Sequence, residues 1–206
     1  MKKILSAAAA IAVVLGMNAL GVAPVSTSAQ ASECNFPKAP EDFEQNEIDA
    51  LYKCIEESLV KKYGKADHEI GANYRSWKLA QKGIGPSFAG HGNRFLQTYV
   101  NDIGFDEYVK YRDEGGFSMP AGTIIAKESW KVKKDGKPVP GPLLIMTKAK
   151  AGEADEFGNW VYSGVSPGSG KNFKVSQKFC HDCHGAYEDQ DAMGYPDEDV
   201  RLKSSN

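Results

Sequence analysis

Five consecutive residues near the C-terminus constrain this chain more than any other part of its sequence. The run from Cys180 to His184 reads Cys-His-Asp-Cys-His, so a histidine directly follows the second of two thiols that are three positions apart. On a helical turn such thiols lie on nearly the same side, so both can bond one edge of a planar group. The imidazole of His184 then lies under the centre of that group. This spacing is typical of haem c attachment, with Cys180 and Cys183 as thioethers and His184 as the axial iron ligand.

Three other uses of such a motif fit the rest of the sequence less well. A dithiol redox pair usually follows a strand in a βαβ unit, a pattern that this chain lacks. A zinc site needs two further ligands at matching spacing, and His68 and His91 are isolated. A structural disulfide leaves His184 unexplained. We therefore predict one covalent haem c, and we expect His181, inside the motif, to face solvent.

The N-terminus predicts export. Two lysines follow the first methionine, an apolar run occupies residues 7–16, and residues 29–31 form a small-residue cleavage site. We expect residues 1–31 to be a signal peptide whose removal leaves a periplasmic protein with no membrane anchor. Because that compartment is oxidising, we expect Cys34 and Cys54, the two cysteines outside the motif, to pair.

Composition predicts a globular domain after the signal. With 41% hydrophobic and 25% charged residues, the chain is neither disordered nor a multi-span membrane protein. A formal net charge of −2 gives no electrostatic reason to expect nucleic acid as a partner. We divide the remainder into an N-terminal helical extension at 32–72 and a haem domain at 73–206.

Hydrophobic periodicity predicts both helices and strands. Apolar residues recur at helical spacing from about 41 to 63, and a shorter helix is predicted from about 74 to 83. Segments rich in β-branched and aromatic residues predict strands at 95–100, 122–130, 142–148 and 159–165. A helix at 105–111 interrupts them, and the cysteine motif lies on a last helix at about 174–187. This order predicts an α+β fold, an antiparallel β-sheet with flanking helices and the haem on the C-terminal helix.

The residue opposite His184 decides the function. A second strong ligand on the iron makes an electron carrier, whereas an open position allows a small molecule to bind or react. Met193 comes nine residues after His184, too few for the chain to cross the haem. Met146 lies within an apolar strand and is expected in the core. The sequence therefore identifies no sixth protein ligand.

Three segments carry a resemblance to a known family. The segment from Gly122 to Glu128, the segment 158–162 and the final C-x-x-C-H followed by Asp191 resemble the cytochrome P-460 family. The NO-binding cytochromes c′-beta share its domain. The resemblance covers roughly residues 73–194. It implies an antiparallel sheet with flanking helices, usually in a dimer, and one c-type haem with an open distal face.

The resemblance implies a specific role for Lys127. In the hydroxylamine-oxidising members a lysine bonds covalently to the haem macrocycle, and Lys127 falls on that position. From strand alternation alone, Lys127 is instead a charge on the solvated face of a half-buried strand, with Glu128 on the opposite face. Both interpretations stay open at this point.

The expected distal side departs from those enzymes. Their distal glutamate falls on apolar Leu144, and their distal arginine falls near Gln97, with Arg94 close by. His91 and Arg94 could donate distal hydrogen bonds, but we expect both at surface loop positions. An apolar pocket suits NO or CO but leaves the protons of a substrate without an acceptor.

These features predict a periplasmic c-type haem protein, an oxidoreductase that acts on or binds hydroxylamine or NO. Its catalytic residue would be Lys127 and its iron ligand His184. The alternatives are a non-catalytic NO- or CO-binding protein and an electron-transfer cytochrome with a sixth protein ligand. The expected partners are a small-molecule ligand or substrate, a periplasmic electron-transfer protein and, from the resemblance, a second copy in a homodimer.

Overall fold

The structure is a computed structural model that describes residues 34–87 and 91–202, so the predicted signal peptide lies outside the described residues. Its α-helices are α1 Gln45–Lys53, α2 Glu56–Tyr63, α3 Glu69–Asn73, α4 Phe105–Tyr108 and α5 Gln177–His184. Its strands are β1 Lys78–Leu79, β2 Gly85–Ser87, β3 Arg94–Val100, β4 Ile124–Val132, β5 Pro138–Pro140, β6 Leu143–Lys148 and β7 Trp160–Val165. Short 3-10 helices occur at Pro40–Asp42, Tyr74–Ser76, Asp155–Phe157, Gly185–Gln190 and Glu198–Val200.

The described strands form one seven-stranded antiparallel sheet. Its order is β1-β3-β4-β6-β7, with β2 also pairing with β3 and β5 with β4. The register places Thr98 and Leu144 opposite Lys127 on the two neighbouring strands. Because residues directly opposite one another share a face of the sheet, these three side chains form one row. The predicted α+β fold with an antiparallel sheet and flanking helices is confirmed.

The N-terminal helices cover one face of the sheet. Ile48, Leu51 and Leu59 of α1 and α2 are buried in the same apolar cluster as Ala126 and Trp130 of β4. The opposite face carries a second cluster, to which α4 and the C-terminal segment contribute. The helices predicted as an N-terminal extension therefore share one core with the sheet.

The prediction of one helix over 41–63 is wrong, because the helix breaks between α1 and α2. The N–H of Cys54 bonds Leu51 O, a 3-10 spacing that ends α1, and Ile55 leaves the helical region with φ −122°. Cys54 also pairs with Cys34, as predicted, with a Cα–Cα distance of 6.0 Å. Ile55 and Leu59 stay on the buried face across the break, so the apolar periodicity does not reveal it.

The prediction of a helix from 74 to 83 is also wrong. Tyr74–Ser76 is a 3-10 turn, and Trp77 is already extended, with φ −82° and ψ 171°. The chain then pairs with β3, where the N–H of Ala80 donates to Thr98 O. The spacing of three that suggested an α-helix fits a 3-10 turn equally well, and pairing with the sheet decides the rest.

The four predicted strands are confirmed as β3, β4, β6 and β7, with ends that differ by a few residues. After the Asp135-Gly136 turn, Pro138–Pro140 pairs with the end of β4 as a further short strand. Proline lacks an N–H to donate and is tolerated on such short outer strands.

The central strand β4 is buried on both faces. Glu128 faces the N-terminal helices with no exposed surface, and its carboxylate accepts hydrogen bonds from Tyr52 Oη at 2.6 Å, Arg75 Nε at 2.7 Å and the Tyr74 hydroxyl. Burial raises the pKa of Glu128, while the guanidinium of Arg75 and these hydrogen bonds oppose that rise. The expectation that β4 has a solvated face is therefore wrong, although Lys127 and Glu128 do project to opposite faces.

Removing the Cys34–Cys54 disulfide tests how much this bridge stabilises the fold. Replacing both Cys34 and Cys54 by Ala should lower the free energy of unfolding by about 3 kcal/mol, because the bridge closes a loop of 20 residues in the unfolded chain. Urea unfolding measures this loss. Wild-type protein unfolded in the presence of a reductant is the matched control and should show the same loss. A loss under about 0.5 kcal/mol would contradict a stabilising role for the Cys34–Cys54 disulfide.

Candidate functional site

A cavity of about 910 Å³ lies between the second face of the sheet and α5. Its lining includes all four predicted site residues: Lys127 from β4 and Cys180, Cys183 and His184 from α5. The sheet contributes a mainly apolar wall, made of Leu96, Ile125, Leu144 and Met146. A volume of this size lies within the usual range for sites that hold small molecules and cofactors. The structure thus brings the predicted residues together around one cavity.

Helix α5 presents the two thiols to this cavity. Ser176 caps the helix by accepting a hydrogen bond from the N–H of Phe179, and the first turn therefore starts three residues before Cys180. Both thiols are unpaired, with Cys180 half-buried and Cys183 exposed. The side chain of Gln177 bonds both the N–H and the C=O of Tyr162, which ties α5 to β7. The helix is therefore fixed against the sheet while its thiols stay accessible.

His184 ends α5 with its ring in the cavity. Its Nδ1 lies 2.8 Å from Ala192 O, and because a carbonyl oxygen only accepts, Nδ1 carries the proton and Nε2 keeps its lone pair. Burial, together with the positive charge of Lys127, lowers the pKa of His184 to about 4. The imidazole is neutral at pH 7, which is the form that binds a metal.

Lys127 lies on the cavity face of β4, only 5% exposed. Its Nζ donates to Gly194 O at 3.2 Å and to Met193 O at 3.4 Å. Desolvation by burial lowers its pKa to about 8. The interpretation of Lys127 as a charge on a solvated strand face is therefore wrong. A lysine in this state has a larger neutral, nucleophilic fraction near pH 7 than an exposed lysine has.

The expectation that His91 and Arg94 occupy surface loop positions is wrong, since both line the cavity. Arg94 is the first residue of β3, and alternation along that strand puts it on the same face as Leu96 and Thr98. Desolvation and the charge of Lys127 lower the pKa of His91 to about 3, so its ring is neutral. The strand pattern could have identified Arg94, whereas nothing local in the sequence indicates where the loop carrying His91 lies.

Gln97 does not reach the cavity. It is opposite Glu128 in the register and therefore lies on the face covered by the N-terminal helices. Leu144, which falls on the position of the family's distal glutamate, does line the cavity. Among the described arginines, Arg94 is the one that lines the cavity.

The structure also tests the expectations for two methionines and for His181. Met146 is 5% exposed and packs in the second apolar cluster, which confirms it as a core residue, and it also lines the cavity. Met193 is fully buried in the same cluster. His181 was expected to face solvent, but its Nδ1 lies 3.1 Å from Tyr162 Oη and its ring contacts Phe157, so that expectation is wrong.

The described residues form neither a metal-ion cluster nor a helix that could span a membrane. Within residues 34–87 and 91–202, no three His, Cys, Asp or Glu side chains are grouped so that they could hold a metal ion. In the same ranges, no helix has the length and apolar character needed to cross a bilayer.

The match to known families agrees with this geometry. Residues 71–193, which include the cavity wall, Lys127 and the cysteine motif, match the family model of a cytochrome, a haem-iron protein. That family is cytochrome P460, and because the match covers more than half of the chain, this protein belongs to it. A search of curated proteins gives no match to the chain. The residues fit a haem: two thiols one helical turn apart, a neutral imidazole and a mainly apolar cavity.

The burial of Lys127 predicts a pH-dependent stability difference. In a Cys180→Ala/Cys183→Ala background, where the amine cannot be modified by haem, Lys127→Met should raise the free energy of unfolding by about 3 kcal/mol at pH 7. The reason is that folding lowers the pKa of Lys127 from 10.5 to about 8. The gain should be complete below pH 8 and disappear as the pH rises from 8 to 10.5, because the folded protein then binds fewer protons than the unfolded chain.

Urea unfolding at a series of pH values measures this difference. Lys131→Met is the matched control, since Lys131 lies on the same strand but is exposed, and it should show no such dependence. A stability difference for Lys127→Met that stays constant between pH 7 and pH 10 would contradict the burial of the amine.

Proposed function

We propose that this protein is a periplasmic c-type haem oxidoreductase that acts on hydroxylamine or NO at an open distal site. One observation carries the proposal: the thiols of Cys180 and Cys183, the imidazole of His184 and the buried amine of Lys127 all line one mainly apolar cavity. A haem bound there would supply a redox-active iron. The side chains around the cavity would hold the haem and determine which of its faces is open.

The proximal side is built from α5. Cys180 and Cys183 would form the two thioether bonds to one haem, and His184 would ligate the iron through Nε2. The hydrogen bond from Nδ1 to Ala192 O fixes the ring orientation, as the second partner of a metal-bound histidine usually does. On this proposal Lys127 is the catalytic residue, an amine that would contact the macrocycle from the cavity wall.

The distal side would be formed by the sheet. Leu144, Met146 and Ile125 make this wall apolar and offer no strong ligand apart from the Met146 sulfur, which packs in the core. If His91, the other imidazole that lines the cavity, does not ligate the iron, the position opposite His184 stays open and a small molecule can bind there.

A specific observation favours a second candidate function, binding of NO or CO without turnover. Oxidation of hydroxylamine releases protons, and a general base works best when its pKa is near the working pH. His91, with a pKa lowered to about 3, is a weak base, and Leu144 stands where the enzymes of the family have a glutamate. Binding without turnover is therefore favoured unless Lys127, with a pKa of about 8, accepts these protons.

Export to the periplasm is part of the proposal. The basic, apolar and small-residue pattern of residues 1–31 supports it, and so does the Cys34–Cys54 disulfide, which suits an oxidising compartment. An electron-transfer protein in the same compartment would exchange electrons near α5, where Phe179 and Tyr187 are exposed beside the cavity. A homodimer remains the expected assembly.

Covalent haem attachment is the first test. Intact mass spectrometry of the exported protein should give the mature polypeptide plus one haem, and acid-acetone extraction should not remove it. The Cys180→Ala/Cys183→Ala variant should carry no covalent haem, because no thiol is left to form a thioether. Cys34→Ala/Cys54→Ala, which removes the other pair of cysteines, should keep it. Haem that survives extraction from the motif variant would overturn the assignment.

The open distal position is tested by ligand binding. The reduced protein should change its absorption spectrum on addition of CO or NO, since no protein side chain would have to be displaced. Met146→Leu should bind CO as the wild type does, because the substitution conserves core volume and removes no ligand. A low-spin, six-coordinate spectrum that CO leaves unchanged would favour the electron-transfer cytochrome instead.

Turnover separates the two remaining functions. The enzyme should reduce an artificial electron acceptor when hydroxylamine is added, whereas a gas-binding protein should bind NO with no such reduction. If Lys127→Met binds NO normally and loses hydroxylamine turnover, the amine is catalytic. Equal turnover by wild type and Lys127→Met would exclude that role.

A further inference from the structure

One short loop, residues 191–194, contacts both reactive side chains of the cavity. Three successive carbonyl groups accept their hydrogen bonds: Ala192 O from His184 Nδ1, and Met193 O and Gly194 O from Lys127 Nζ. The two donor groups belong to side chains that are themselves buried or half-buried. The conformation of this loop therefore determines how the imidazole and the amine are oriented.

The loop has an unfavourable backbone conformation. Asp191, Ala192 and Gly194 have positive φ values of 51°, 60° and 55°. Gly194 adopts this region at little cost, but for Ala192 the left-handed region costs roughly 1–2 kcal/mol. Such a conformation persists only where surrounding contacts determine it.

The contacts that hold the loop converge on Asp191. Lys148 Nζ bonds both carboxylate oxygens, at 2.7 and 2.8 Å, and the N–H of Met119 donates to the same carboxylate at 2.7 Å. The indole N–H of Trp160 donates to the main-chain carbonyl of Asp191 at 2.7 Å. The side chains of Lys148 and Asp191 are 5% and 12% exposed, so water screens this ion pair little.

Lys148 is in turn fixed from the sheet. It is the last residue of β6, its Nζ also donates to Gly158 O at 2.9 Å, and it lies 4.9 Å from the centroid of the Trp160 ring. The ammonium group thus links the rigid edge of β6 and β7 to the first residue of the loop.

We infer that Lys148 and Asp191 are positioning residues for His184: their buried ion pair holds the loop 191–194, whose Ala192 carbonyl orients the imidazole. The inference rests on the proposed function in one respect, the ligation of iron by His184. A hydrogen bond that holds Nδ1 raises the basicity of a ligating histidine and so lowers the reduction potential of the iron. Neither residue touches the cavity's reacting groups directly.

If the Lys148–Asp191 pair only stabilised the fold, a variant that regains stability would also regain the wild-type properties of the iron. Buried ion pairs are often replaceable without loss of stability, whereas removing one partner leaves an uncompensated buried charge. Asp191→Asn keeps the shape and tolerates a positive φ, but it leaves the Lys148 ammonium unpaired. Lys148→Met/Asp191→Asn removes that unpaired charge as well. The double variant therefore separates stability from positioning.

The experiment uses the exported, haem-loaded protein and two spectroscopic readouts. Resonance Raman spectroscopy of the ferrous protein gives the iron–histidine stretching frequency, and redox titration gives the reduction potential. In both variants we expect the stretching frequency to fall and the potential to shift to more positive values, while the double variant regains the melting temperature that the single variant loses. A double variant with wild-type frequency and potential would overturn the inference.

The control is a second ion pair whose carboxylate is buried in this sheet. Glu128 pairs with Arg75 at 2.7 Å on the opposite face of β4, so Glu128→Gln removes one carboxylate charge at comparable depth. It should lower stability and leave both spectroscopic readouts unchanged. Equal shifts in Glu128→Gln and Asp191→Asn would mean that the readouts follow stability, which would also overturn the inference. A ferrous wild type with no iron–histidine stretch would refute the proposed open position on the iron, and the reduction potential alone would then decide the inference.

Discussion

The burial of β4 on both faces is the constraint on which the rest of the structure depends. An antiparallel strand usually leaves one face to water, but here helices α1–α3 cover one side and the C-terminal segment covers the other. Two adjacent charged residues, Lys127 and Glu128, therefore both enter the interior. Each needs polar partners there, because an unpaired buried charge costs several kcal/mol. The two faces meet that need in different ways.

Glu128 is satisfied by charge and hydroxyl groups, from Arg75, Tyr52 and Tyr74, and this cluster anchors the N-terminal helices. Lys127 has only carbonyl oxygens as hydrogen-bond partners and faces a mainly apolar cavity, so its pKa falls instead. The first arrangement stabilises the fold. The second places an amine with a lowered pKa in the same cavity as the thiols and the imidazole of α5, as the proposed function requires.

Much of this could be predicted from local spacing. The C-x-x-C-H motif identified Cys180, Cys183 and His184, and alternation located four strands, because both are properties of neighbouring residues. The resemblance singled out Lys127, but alternation alone gave it a solvated face, since burial of the second face depends on distant helices. The resemblance included Asp191, but the carbonyl groups of loop 191–194 that accept from His184 and Lys127 had no sequence signal, because every residue has a main-chain carbonyl. The break at Cys54 stayed hidden because the apolar face continues across it.

A crystal structure of the exported, haem-loaded protein tests the central claim most directly. The account predicts haem in the cavity between the sheet and α5, thioether bonds to Cys180 and Cys183, and His184 Nε2 bonded to iron with Nδ1 still on the Ala192 carbonyl. Lys127 should lie at the edge of the macrocycle, with no protein atom bonded on the distal side of the iron. A haem outside this cavity, or iron ligated by a residue other than His184, would contradict the account.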